Sequence, residues 1–144
     1  WRFQMSVPKS KRSESSMEFL NGAFDLEGYT HQRCTGNFPK HARLFIAAEI
    51  YKLAAECHTN AKSANSIFVN NSHDAQMRLD YLTKAICDIQ ALYSKIHIAK
   101  KYVQFEAGKA PNWDVWIGMV EKEATLLVAT RKAEIERYRK AGYI

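Results

Sequence analysis

Apolar residues recur at three- and four-residue intervals over four stretches of this chain, with polar residues between them. That period puts the apolar positions on one face of a helix each time, where alternation by two would have marked strands. The cleanest stretch follows Gly36-Asn37-Phe38-Pro39, with Asn37 or Phe38 as the cap and Pro39 in the first helical turn. There Ile46, Ile50, Leu53, Cys57, Ala61, Ala64 and Phe68 form a stripe, and Glu49, Lys52, Glu56, Thr59 and Ser63 occupy the opposite face. The pattern predicts a helix running to about Val69, with enough alanine on its apolar side to let a neighbour approach closely.

Three further helices are expected. Ser15 with Glu18 three residues on reads as a capping box, after which Phe19, Leu20, Ala23, Phe24 and Leu26 carry a short helix to about Cys34. Asn70-Asn71-Ser72-His73-Asp74 is a turn rich in capping residues. Beyond it Leu79, Leu82, Ile86, Ile89, Tyr93, Ile96 and Val103 make a stripe widened by Ala85, Leu92 and Ala99, ending near Phe105. Lys84 and Asp88 are spaced to pair on its wet side. After Ala107-Gly108-Lys109-Ala110-Pro111, Asn112 caps a last helix with Trp113, Ile117, Val120, Ala124, Leu127, Ile135 and Tyr138 on its stripe, and Gly142 closes it.

Four amphipathic helices on short turns predict an all-α, antiparallel up-down-up-down four-helix bundle over residues 15–144. Residues 1–14 are expected to form a flexible basic arm ahead of it, with Met5 a plausible start and Trp1 to Gln4 an expected remnant. The second and third helices, at about 32 residues, would reach roughly 48 Å, and the first only about 19 residues. The apolar surface around Ile67, Phe68, Val69 and Leu79 therefore needs cover from the arm or from another subunit, and an oligomer is expected.

Composition agrees with one globular domain: 144 residues, 47% apolar and 25% charged, with few Gly and Pro to interrupt helices. The longest apolar run, Leu44-Phe45-Ile46-Ala47-Ala48, is far short of a membrane span, and without an n-region and apolar h-region at the start secretion by a signal peptide is not expected. Cys34, Cys57 and Cys87 suit a reducing cytoplasm, with Cys57 and Cys87 expected as core thiols.

Charge changes the picture more. The net charge is +6, yet Ser15 to Thr130 carries twelve Lys/Arg and twelve Asp/Glu. The surplus sits at the two ends, which the bundle topology would bring together. Lys9, Lys11, Arg12, Arg131, Lys132, Arg137, Arg139 and Lys140 are the expected anion-binding surface.

Catalytic chemistry is not visible. A di-iron bundle needs Glu-x-x-His on two helices, and none occurs. No Cys-x-x-Cys, phosphate-cradling glycine loop or serine elbow is present, and no cofactor, metal or enzymatic role is expected. His31 and Cys34 could share a metal or form a loosely placed surface pair. Asn65 flanks the second stripe, as a margin residue or an interhelical hydrogen-bond donor, with Arg78 able to pack beside it. Trp113, Trp116 and Tyr93 read as core or interface aromatics.

Several short motifs bear on family. Ser6-Val7-Pro8-Lys9-Ser10-Lys11-Arg12-Ser13-Glu14, Phe38-Pro39-Lys40, Ala64-Asn65-Ser66 and Arg78 together make the chain resemble, over nearly its whole length, small bacterial four-helix-bundle proteins of the accessory variability determinant (Avd) type. The Pro-Ala-Asn-Ile loop of a sister group, encoded within intervening sequences of large ribosomal RNA genes, is absent. The resemblance implies a homopentameric barrel that binds the reverse transcriptase and template RNA of a diversity-generating retroelement during cDNA synthesis. The neutral middle of this chain departs from a family whose members can be basic over much of their surface. A protein-binding oligomeric scaffold with a basic docking face, and no nucleic-acid role, is the alternative.

Overall fold

A computed structural model describes residues 15–144 of the chain; the expected basic arm, including Lys9, Lys11 and Arg12, lies outside the described residues. Four helices and no strand occur among them. Helix α1 is Ser15–Gly36 and α3 is Ser72–Tyr102. Helix α4 is Trp113–Lys140. Helix α2 is continuous in three segments: Lys40–Ala42, a π-helical turn Arg43–Ala47, and Ala48–Ser66.

Each helix packs on its sequence neighbours, and α4 closes the ring against α1. Paired side chains set the directions. Glu27 of α1 meets His58 and Tyr51 of α2, and Asn60 of α2 meets Asp88 of α3. Arg131 of α4 meets Thr83 of α3, and Trp116 of α4 meets Thr30 of α1. With Lys95–Glu49 and Arg78–Glu134 added, every neighbouring pair is antiparallel, as expected from the short connections.

The core follows the stripes with corrections at their margins. Phe19, Leu26, Ile50, Leu82, Ile89, Leu92, Ile96, Trp116 and Leu127 are almost wholly buried. Burial of each such side chain is worth about 1.5–3 kcal/mol. Ala61 and Ala64 are fully buried too, in the close approach that the alanine-rich face of α2 predicts. Tyr93 and Cys87, both expected inside, are exposed. The inward line on α3 passes through Ala85, Ile89, Leu92 and Ile96, and residues 87 and 93 lie off that line. Lys84 does not pair with Asp88: the lysine sits over the Tyr81 ring, and Asp88 accepts from Asn60 at 2.7 Å.

The helix ends differ from the periodic reading for local reasons. Pro39 is extended and precedes α2 instead of lying in its first turn. Ala42 and Ala47 both face the core although they are five positions apart. The π turn absorbs the extra residue and throws Leu44 and Phe45 outward. α2 stops at Ser66, short of Val69, because the chain must turn to let Asn71 cap α3: the Asn71 side chain accepts from the Asp74 backbone N–H, and Asp74 in return accepts from that of Asn70. Phe68 is consequently exposed. α3 ends at Tyr102, before Phe105, whose ring leaves the helix to stack edge-on against Phe38 and Trp113.

That aromatic cluster, with Trp116 buried and donating to Thr30 at 3.1 Å, ties the α1–α2 and α3–α4 turns together at one end. Asn37 spans them as well, donating to the Lys109 carbonyl. At the opposite end a second, smaller core gathers Ala75, Leu79 and Tyr138 under Val69, Ile135 and Tyr143. Leu79, expected to be covered by the arm or by another subunit, is buried instead by these residues of the bundle. Gly142, with φ +80°, makes the wrap possible. Its N–H reaches the Arg139 carbonyl and that of Tyr143 reaches Tyr138, a Schellman closure that lays Tyr143 on the Tyr138 ring.

Candidate nucleic-acid and partner interface

The length difference between helices has a definite consequence at the basic end. Gly22 of α1 lies beside Glu123 of α4, so Ser15, seven residues earlier in an antiparallel pair, reaches about residue 130. Residues 131–140 of α4 run on past it by ~15 Å. This overhang carries Arg131, Lys132, Arg137, Arg139 and Lys140, against Glu134 and Glu136.

The overhang is held by α3 and by a buried ionic network. Glu134 and Tyr138, one turn apart on the inner face of α4, are 4% and 3% exposed. Arg78 of α3 grips the Glu134 carboxylate with two nitrogens, the second at 2.8 Å, and donates to the Ala64 carbonyl at 2.9 Å. The Tyr138 hydroxyl donates to Glu134 at 2.8 Å. One guanidinium thus fastens the last turn of α2, the first turns of α3 and the last turns of α4, in the bidentate geometry that suits arginine. The residue after Ala64 is Asn65, whose amide nitrogen is buried without a partner among the described residues. Burial, then the Glu134 charge, pushes the Tyr138 phenol up to about 12.

With Glu134 and Tyr138 turned inward, the basic residues divide between two flanks. Arg131, Lys132 and Arg139 line a groove of about 580 Å³ beside α3, with Thr83, Ile86, Val128, Ile135 and Glu136. Arg131 is braced there by a 2.9 Å hydrogen bond to Thr83. Arg137 and Lys140 fall on the other flank at helical spacing, the one that carries Leu126 toward α1. Arg137 lies over the Tyr138 ring. Cations in the last turn also meet the negative end of the helix dipole.

A second buried carboxyl sits eleven residues earlier on the same inward line. Glu123 is 1% exposed, and neither carboxyl oxygen has a partner among the described residues. A Cβ added at Gly22 would overlap its Oε1, so the glycine is what makes room for it. Burial pushes the carboxyl up to about 9, against a small opposing effect of Lys122. Burial thereby favours the neutral acid for Glu123 at pH 7, with no hydrogen-bond partner for it among the described residues.

No group of three metal-ligating side chains occurs among the described residues. His31 stacks edge-on against Tyr51, and Cys34 is buried with its thiol donating to the Ala47 carbonyl. Cys34 is therefore not half of a surface pair, and burial pushes the thiol up to about 12. None of the helices described is long and apolar enough to cross a membrane.

The overhang was legible as charge, but Glu123, Glu134 and the groove were not. A usable signal existed: Glu123 falls between Val120 and Leu127 on the apolar period, and Glu134 falls one turn before Tyr138. Comparison with protein-family models, curated proteins and solved structures found no match to this chain.

Proposed function

We propose that this chain is a non-catalytic accessory factor of the Avd type, binding nucleic acid and reverse transcriptase in a diversity-generating retroelement. The observation that carries the nucleic-acid part is the overhang: in a chain neutral from 15 to 130, five cations occupy exposed or half-exposed turns of a helix pinned by Arg78 and Glu134. Such a frame keeps its charges in place, so phosphate binding costs little ordering entropy. Phosphates of template RNA or cDNA are the expected ligands, held through backbone charge with little reading of bases. Lys9, Lys11 and Arg12 would add to the same field from the arm. The reverse-transcriptase partner and the count of five subunits rest on the family resemblance, an oligomer on the short first helix and a cytoplasmic location on the three cysteines; light scattering at micromolar concentration tests the assembly.

The protein-docking alternative is favoured by one feature, the apolar floor of the groove on the α3 side. The direct test of nucleic-acid binding is Arg131→Gln, Lys132→Gln, Arg137→Gln and Arg139→Gln combined. Affinity for a single-stranded RNA should fall steeply, and the slope of log affinity against log salt should flatten by roughly 0.7–0.9 for each phosphate no longer neutralised. Unchanged affinity and slope would hand the overhang to the protein-docking reading.

A further inference from the structure

The groove between α3 and α4 has a make-up that phosphate binding does not explain. Its floor is aliphatic: Ile86 of α3 with Val128 and Ile135 of α4, the last two at i and i+7. Val128 is 50% exposed at the foot of an otherwise charged helix end. A phosphodiester backbone gains nothing from such a floor, because it is bound by donors and cations. Above the floor stand Arg131, Lys132 and Arg139, with Glu136 as the one acidic lining residue. Arg131 is already oriented by Thr83, so its guanidinium is presented in a set direction. Apolar floor, cationic rim and a length of about two helical turns match an amphipathic helix lying between two helices, with its own apolar face down and carboxylates at its edges.

We propose that this groove docks an acidic amphipathic helix of a protein partner, with aliphatic side chains on Val128, Ile86 and Ile135, and Asp or Glu against Arg131, Lys132 and Arg139. The charge balance of the rim selects carboxylates at the edges and rejects a basic segment. The docking requires neither RNA nor a particular enzyme, and so goes beyond the nucleic-acid reading. The two activities share the three rim cations but separate at Val128, which has no group to offer a phosphate, and at Arg137 and Lys140, which do not line the groove.

The probe is a synthetic helix-forming peptide of about four turns, with leucine at every third or fourth position and glutamate beside each leucine; a scrambled peptide of the same composition is the control. Binding to the full chain is followed by fluorescence anisotropy, beside binding of a single-stranded RNA. The leucine-striped peptide should bind, the scrambled one should not, and added salt should weaken the complex. Val128→Asn, at a half-exposed position, should weaken the peptide about fivefold or more through reduced apolar burial while leaving the RNA salt slope unchanged. Arg137→Gln with Lys140→Gln should weaken RNA and spare the peptide. Failure of the striped peptide to bind, or equal binding by the Val128 variant, overturns the proposal. So does a Val128→Asn variant that changes the oligomeric state, because the groove's occupant would then be a second copy of this chain. RNA binding that fails while the peptide behaves as described would overturn the nucleic-acid reading alone.

Discussion

Helix α4 buries two carboxyls eleven residues apart, and the protein treats them in opposite ways. At Glu134, in the overhang, a guanidinium and a phenol complete the carboxylate, and the three side chains bind α2, α3 and α4 together. At Glu123, in the part covered by α1, no partner is supplied among the described residues and a glycine opens the space. Burying an ionised carboxylate costs several kcal/mol unless it is paired: the first is given an arginine partner, and burial makes the second hold its proton. The overhang joins only a small apolar core, of Ala75, Leu79 and Tyr138, and adds ionic hydrogen bonds to it. The covered part has ample apolar area and tolerates a neutral acid.

The largest effect expected from that contrast is at Arg78. Arg78→Met should lower unfolding stability by about 3–5 kcal/mol, because Glu134 is left buried and uncompensated and the Ala64 carbonyl loses its donor. Urea denaturation measures it, and a loss below about 1 kcal/mol would mean that the overhang is held by packing alone.

Glu123 should announce itself through pH. Its folded-state value lies near 9, above the ordinary carboxyl value of 4.5, so the folded protein holds a proton that the unfolded chain releases. Stability from this group is complete below about pH 4.5 and is lost as pH rises toward 9, at up to about 1.4 kcal/mol per pH unit. Glu123→Gln should flatten that decline, with its advantage growing from pH 5 to pH 8. Thermal melts at several pH values would show two parallel curves if Glu123 were already charged in the fold.

A smaller and more specific effect concerns Gly22. Gly22→Ala should destabilise by about 1–3 kcal/mol through overpacking against the Glu123 carboxyl. In a Glu123→Ala background the same change should stabilise by ~0.5–1 kcal/mol, since only the helix preference for alanine remains. An effect of equal sign in both backgrounds would mean that the two side chains do not touch.

The helices themselves were written in the three- and four-residue period, and the bundle followed from four stripes and short turns. The period failed where one residue could not be counted by face alone. The π turn at Arg43–Ala47 shifts the register by a single position, which no stripe reveals. Ile67, Phe68 and Val69 continue the apolar pattern of α2, yet the reciprocal capping of Asn70, Asn71 and Asp74 ends the helix before them. Cys87 and Tyr93 show how a small angular error moves a side chain from core to surface. For the basic end, the charges were legible and their grouping was not. Glu134 and Tyr138 fix which face of α4 turns inward, and so which cations share a groove and which take the other flank. Arg78 stood out in the sequence as a neighbour of Asn65, but its partner Glu134 did not, because one polar residue on a stripe gives no sign of which facing residue completes it.

Phosphate binding by an ordered, cationic overhang is tested most directly by the salt dependence of RNA affinity. The parent chain is compared with the variant neutralised at Arg131, Lys132, Arg137 and Arg139, while circular dichroism checks that helicity is unchanged. The predicted result is a much weaker complex and a slope flattened by roughly 0.7–0.9 for each phosphate released. A variant that stays folded and binds RNA with the parent's affinity and slope would contradict it.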